Sequence, residues 1–116
     1  MNEVAQAKAE LRAEFRKKLA AVTVAERDRA AAVVFENVRS RPEWREAKTV
    51  MLYVPLPGEL NILPLLNAAM HHHKTLTLPR FNKETQTYEA AVVKNLAGDL
   101  VRGEFGVSEP VQECPV

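Results

Sequence analysis

Apolar residues recur through residues 3–21 at spacings that only a helix gathers onto one side. Val4, Leu11, Phe15, Leu19 and Val22 follow one another at seven, four, four and three residues, which predicts an amphipathic helix. Thr23-Val24-Ala25-Glu26 then reads as a capping box, with the Thr23 hydroxyl serving the backbone N–H of Glu26 and the Glu26 carboxylate reaching back. It predicts a second helix to about Arg39, with Ala30, Val34 and Val38 turned inward. Pro42, tolerated in a first turn, opens a short third helix that directs Trp44 and Ala47 inward.

The pattern changes after Thr49. Val50-Met51-Leu52-Tyr53-Val54 is a continuous apolar run, which predicts a strand buried on both faces of a parallel sheet and ended by Pro55. Asn61 caps a predicted helix over 62–72, with Pro64 in its first turn. Thr75-Leu76-Thr77-Leu78 predicts a second strand stopped by Pro79. Strand, helix and strand within about 30 residues make a βαβ unit. Residues 82–86 are turn-like, and Thr87–Val93 reads as a third strand antiparallel to the second. Beyond Lys94 the pattern fades into loops around Gly98, Gly103 and Gly106. Helices in front of three strands predict an α/β fold whose single domain, residues 1–116, is incomplete.

Composition narrows the function classes. The 116 residues carry 16 Lys plus Arg against 15 Asp plus Glu, a formal charge of +1 that argues against a general polyanion binder. The charge is uneven: residues 1–48 hold 11 bases and 8 acids, and 49–116 hold 5 and 7. No aromatic residues interleave the cations, so no nucleic-acid partner is expected. No apolar stretch is long enough to span a membrane, and no secretory leader is visible. The single cysteine, Cys114, excludes an internal disulfide and suits a reducing, cytoplasmic setting.

Three places invite chemistry. In open α/β sheets ligands sit beyond the carboxyl ends of parallel strands. Those ends here carry Glu59 and Arg80, which either converge on one ligand or stand as solvated loop charges. On the first helix Lys8, Arg12 and Arg16 are four apart, a stripe whose repulsion a polyphosphate would relieve. A solvated basic face balanced by Glu10 and Glu14 explains the same residues. His71-His72-His73 cannot close on one metal ion, because neighbours on a helix point about 100° apart. None of the four glycines lies in a dinucleotide-binding or Walker arrangement, and neither Cys114 nor any serine has an evident activating base.

The order Lys8-x-x-Leu11-Arg12, Tyr53-x-Pro55-x-x-x-Glu59, Leu78-Pro79-Arg80-Phe81 and Gly106-Val107-x-Glu109-Pro110 resembles the 5-formyltetrahydrofolate cyclo-ligase family. The resemblance runs from Lys8 to Pro110 and implies a three-layer α/β sandwich related to ribose-phosphate isomerase and CoA transferase folds. It implies ATP- and magnesium-dependent closure of 5-formyltetrahydrofolate to 5,10-methenyltetrahydrofolate, with ADP and phosphate released. By the same resemblance Lys8 and Arg12 hold ATP phosphates and Arg80 contacts the nucleotide. Glu59 fixes the folate, Val54 lines its pocket, and Phe105 stands where the family commonly places tryptophan. The family's Gly- and Arg-rich loop ending in Tyr-Asp has no counterpart, since six residues follow Pro110. What is here thus resembles an N-terminal part. Two expectations follow: activity belongs to the complete form, or the chain is an inactive folate- or nucleotide-binding fragment or interaction module that needs a partner chain. An uncovered sheet edge would then favour self-association.

Overall fold

The computed structural model describes residues 2–103 and 105–116. Three helices come first: α1 (Glu3–Ala20), α2 (Val24–Arg39) and α3 (Pro42–Glu46). The capping box forms as the sequence predicts, the Glu26 amide donating to Thr23 Oγ1 at 3.1 Å and the Thr23 amide to Glu26 Oε1 at 3.2 Å. Strand β1 (Thr49–Met51), helix α4 (Leu63–His71), strand β2 (Thr75–Asn82) and strand β3 (Thr87–Val93) follow. The chain closes with β4 (Leu100–Arg102) and β5 (Ser108–Pro110).

β1 and β2 are parallel with Val50 opposite Leu76, and β2 and β3 are antiparallel with Leu78 opposite Ala91, giving the order β1-β2-β3. The βαβ unit and the antiparallel third strand are therefore present. Leu76, Leu78, Ala91 and Val93 share one face of the sheet. Of these, Leu76, Leu78 and Val93 pack with Trp44, Ile62, Leu65, Leu66 and Ala69 in the core. Trp44 is the buried anchor that its position in α3 predicts.

Four details depart from expectation. β1 is shorter than the apolar run and is not buried on both faces, since Met51 is 57 % exposed while Val50, Leu52 and Val54 pack on the core. It is the edge strand of the three-stranded sheet, with a neighbour on one side only. Second, Pro79 does not end β2. The Leu52 amide donates to the Thr77 carbonyl at 3.0 Å, so residues 77, 79 and 81 turn their backbone groups toward β1. β1 has ended before Pro79, and the missing N–H faces a side with no strand acceptor. Third, Ala30 is exposed, and α2 instead turns Arg27, Ala31, Val34 and Val38 toward the body. Fourth, Leu100–Arg102 and Ser108–Pro110 pair as antiparallel strands where loops are predicted. These strands are three residues long, too short to carry a period-two signature.

Helix α1 stands apart. None of its residues is buried, and Leu11, Phe15 and Leu19 are 51, 60 and 51 % exposed. Among the described residues no hydrogen bond or ion pair ties α1 to another element; its ion pair, Lys18–Glu14, lies within the helix. The radius of gyration is 16.7 Å, against about 13 Å for a closed domain of this length. The accessible surface is 8503 Å² for 13.0 kDa, against about 6,300 Å² from the usual scaling. The excess, about 2,000 Å², is well above the ~800 Å² that one partner gives to a standard specific interface.

Candidate functional site

The carboxyl end of β2 is the most elaborated part of the molecule. Period two puts Arg80 on the core face after Leu76 and Leu78, where a cation must be paired to be buried. Its Nε donates to Glu89 Oε1 at 2.9 Å, and Nη2 stands 2.8 Å from the same oxygen. Nη1 donates to the carbonyls of Val111 at 2.7 Å and Cys114 at 2.9 Å. The guanidinium thus stitches β2, β3 and the C-terminal turn together. The hydrogen bond from Arg80 holds the Glu89 carboxyl below its ordinary range, overcoming the opposing effect of partial burial.

One residue further on, the Phe81 amide points to the side that β1 has vacated. Buried Glu109, on β5, accepts from it at 3.3 Å through Oε2. The side-chain carboxylate supplies what a strand neighbour would otherwise supply. Gly103 lies against this carboxylate, and a Cβ there would overlap it. Phe81 also meets Tyr88 and Phe105 edge to face, each at 5.3 Å between centroids. A cavity of about 650 Å³ opens here, lined by Arg80, Phe81, Lys83, Glu89, Arg102 and Glu109 among others. Its charges are mixed, so it can orient a polar ligand through both donors and acceptors.

The other expected site residues lie elsewhere. Val54 is half-buried against the core. Glu59 is exposed and closes its own turn, accepting from the Leu56 amide at 2.6 Å while its amide donates to the Leu56 carbonyl at 3.0 Å. Gly58, with φ of 90°, makes that turn possible. Lys8 and Arg12 are exposed on α1, and among the described residues neither has an ion pair. Phe105 is 61 % exposed and reaches the cavity's edge through Phe81. The structure thus puts Arg80 in the cavity wall with Phe105 outside it against Phe81, keeps Val54 and Glu59 in the loop after β1, and leaves Lys8 and Arg12 on a separate helix.

Sequence reasoning missed Glu89, Lys83 and Arg102. The register Arg80 opposite Glu89 was a usable signal once β2 and β3 were paired, but ending β2 at Pro79 hid it. Burial, with Asp99 nearby, pushes the Cys114 thiol above its ordinary value, away from nucleophile chemistry. His71 and His72 meet edge to face at 5.3 Å, and His73 leaves the helix with φ of 58°. Among the described residues no three His, Cys, Asp or Glu side chains gather to hold a metal ion. Nor is any helix among them long and apolar enough to cross a membrane.

A family model described as the 5-formyltetrahydrofolate cyclo-ligase family matches residues 4–116. Among solved structures, the chain is similar to the NMR structure of Aquifex aeolicus 5,10-methenyltetrahydrofolate synthetase, with a TM-score of 0.78 and 32 % identity. The similarity covers 92 % of this chain and 54 % of that one, so the chain spans about half the synthetase's length. No curated protein sequence matches it.

Proposed function

Since the chain belongs to the 5-formyltetrahydrofolate cyclo-ligase family, we propose that it contributes one wall of a site that converts 5-formyltetrahydrofolate to 5,10-methenyltetrahydrofolate at the expense of ATP. The observation that carries this reading is the structural similarity to the synthetase at 32 % identity over 92 % of the chain. In it residues 1–116 act as one α/β unit in a cytoplasmic setting, and activity arises where the uncovered face of α1 has been covered.

The chemistry requires a formyl oxygen to take the γ-phosphoryl group of ATP. The second folate nitrogen then attacks the activated carbon, loses its proton, and phosphate departs with the former formyl oxygen. Little covalent work falls to the protein, whose part is positioning and charge neutralisation. Lys8 and Arg12 lie one turn apart on α1, so a point charge and a planar fork can grip neighbouring phosphates. One oxygen of Glu59 accepts from its own turn, and the other would accept from the N–H groups of a pterin ring. Val54 supplies an apolar side to that pocket, and Phe105 a face for the bound ligand. Arg80 serves as a positioning residue for the cavity wall, because its donors are directed into the protein. Magnesium would screen the phosphate charge; among the described residues no three His, Cys, Asp or Glu side chains gather to hold it.

A second reading, an inactive binding fragment that completes its surface against a partner chain or a second copy, is favoured by the exposed stripe of α1 and the excess surface. One calorimetric experiment separates the two. The chain, alone and in any form that carries the rest of the synthetase fold, is titrated with ATP–Mg²⁺ and with 5-formyltetrahydrofolate, and turnover is measured by methenyl absorbance. Turnover only in the longer form, lowered by Lys8→Ala or Glu59→Ala, supports the first reading. Ligand binding without turnover in every form supports the second. Full turnover in both variants would overturn the assigned roles.

A further inference from the structure

A second hollow lies at the opposite end of the sheet, where the parallel strands β1 and β2 begin. Arg39 from the last turn of α2, Trp44 and Arg45 from α3, His72 just beyond α4 and Lys74 just before β2 line a space of about 430 Å³. No carboxylate is among these residues, although acids and bases are almost equal in number along the chain. Four segments therefore bring three permanent cations and a histidine around one concavity. Their mutual repulsion earns nothing for the fold on its own.

The cations are held in place. Lys74 Nζ donates to the Trp44 carbonyl at 2.5 Å and the Ala47 carbonyl at 2.6 Å, and it stands 5.2 Å from the Trp44 ring centroid. Two of its three protons are thus committed to the end of α3, leaving one for a ligand. The Arg39 guanidinium lies 5.1 Å over the Phe35 ring, and its ion pair with Glu36 is long, at 3.8 Å, with Glu36 largely in water and Arg39 partly so. Such a pair contributes little and yields readily to a better anion. Arg45 has no ion pair among the described residues.

We propose that this hollow is an anion site for a small phosphate-class ligand, distinct from the cavity at the carboxyl end of β2. A tetrahedral phosphate points three or more acceptor oxygens in different directions and carries up to about two charges, so it can meet several cations arriving from different elements, whereas a carboxylate has one charge and two coplanar oxygens. Two arginines can each take a pair of oxygens, with Lys74 adding a fixed point charge and Trp44 an apolar wall. Free phosphate and a phosphate monoester share this chemistry.

Trp44 is the chain's one tryptophan, so its fluorescence reports on this hollow and on the core packed against the same ring. The folded chain is titrated with inorganic phosphate, and separately with glycerol phosphate, at ionic strength held constant with chloride. The expected result is a saturable change in emission, with the apparent Kd raised about tenfold or more in Arg45→Ala and in Arg39→Ala. Arg45 is exposed and Arg39 partly buried, and circular dichroism checks that the variants fold. A stronger response to one titrant identifies the free ion or the ester as the ligand, and either supports the site. The doubly substituted Lys8→Ala, Arg12→Ala chain should respond as the parent does, which separates this site from the proposed nucleotide wall. A response no different from that to chloride, or unchanged affinity in both arginine variants, would overturn the proposal.

Discussion

Arg80 and Glu89 sit directly opposite each other in the β2–β3 register, joined by contacts of 2.9 and 2.8 Å to a single carboxylate oxygen. The same guanidinium reaches the carbonyls of Val111 and Cys114, more than thirty residues away along the chain. Replacing Arg80 by alanine leaves two carbonyls and a half-buried carboxylate without their donor. Stability should fall by about 3 kcal/mol or more, and Arg80→Lys should recover only part of that, since an ammonium cannot reproduce the fork. Urea denaturation measures both; a loss below about 1 kcal/mol would mean the network is incidental.

The same pair carries a pH signature. Folding lowers the Glu89 pKa below the ordinary 4.5, chiefly through the hydrogen bond from Arg80. Between the folded and unfolded values the unfolded chain binds more protons, so stability rises with pH across that window. The contribution is complete above about pH 4.5 and is lost as pH falls through the lower folded value. Glu26 adds to the same slope with the same sign, through the backbone hydrogen bond from Thr23. Thermal melts of Glu89→Gln between pH 2 and 6, roughly the range over which such carboxylates titrate, should show a shallower acid limb than the parent. A parallel limb would remove Glu89 from the account.

Gly103 faces the Glu109 carboxylate so closely that an added methyl group must displace it. Displacement uncovers the Phe81 amide, which Glu109 otherwise satisfies. Gly103→Ala is expected to cost about 1–3 kcal/mol. Adding Glu109→Ala should cost less in that background than in the parent, because the interaction is already lost. Strict additivity in the double-mutant cycle would refute the coupling.

Phe15 is large and apolar, yet 60 % exposed. Phe15→Ser should therefore change the stability of this chain by no more than about 0.5 kcal/mol. In a form where α1 is covered, the same change should cost several-fold more, as buried aromatic losses do. A loss above 2 kcal/mol in the 116-residue chain, roughly what a buried side chain is worth, would show that α1 already packs on the body.

Much of this molecule follows from local chemistry. The Thr23–Glu26 capping box, the helical stripe of α1, the anchor role of Trp44 and the βαβ alternation each depend on residues near one another in the chain. The motif order carried the family. Tertiary structure decided what depends on distant neighbours. Pro79 could continue β2 only because β1 stops short, and that made Arg80 and Glu89 partners. The β4–β5 pair is held in place because Glu109 and the C-terminal turn find hydrogen-bond donors on β2, a pairing that no three-residue strand announces. Likewise a helical stripe records which side of α1 is apolar, but only the packing of the chain shows that Leu11, Phe15 and Leu19 still face water.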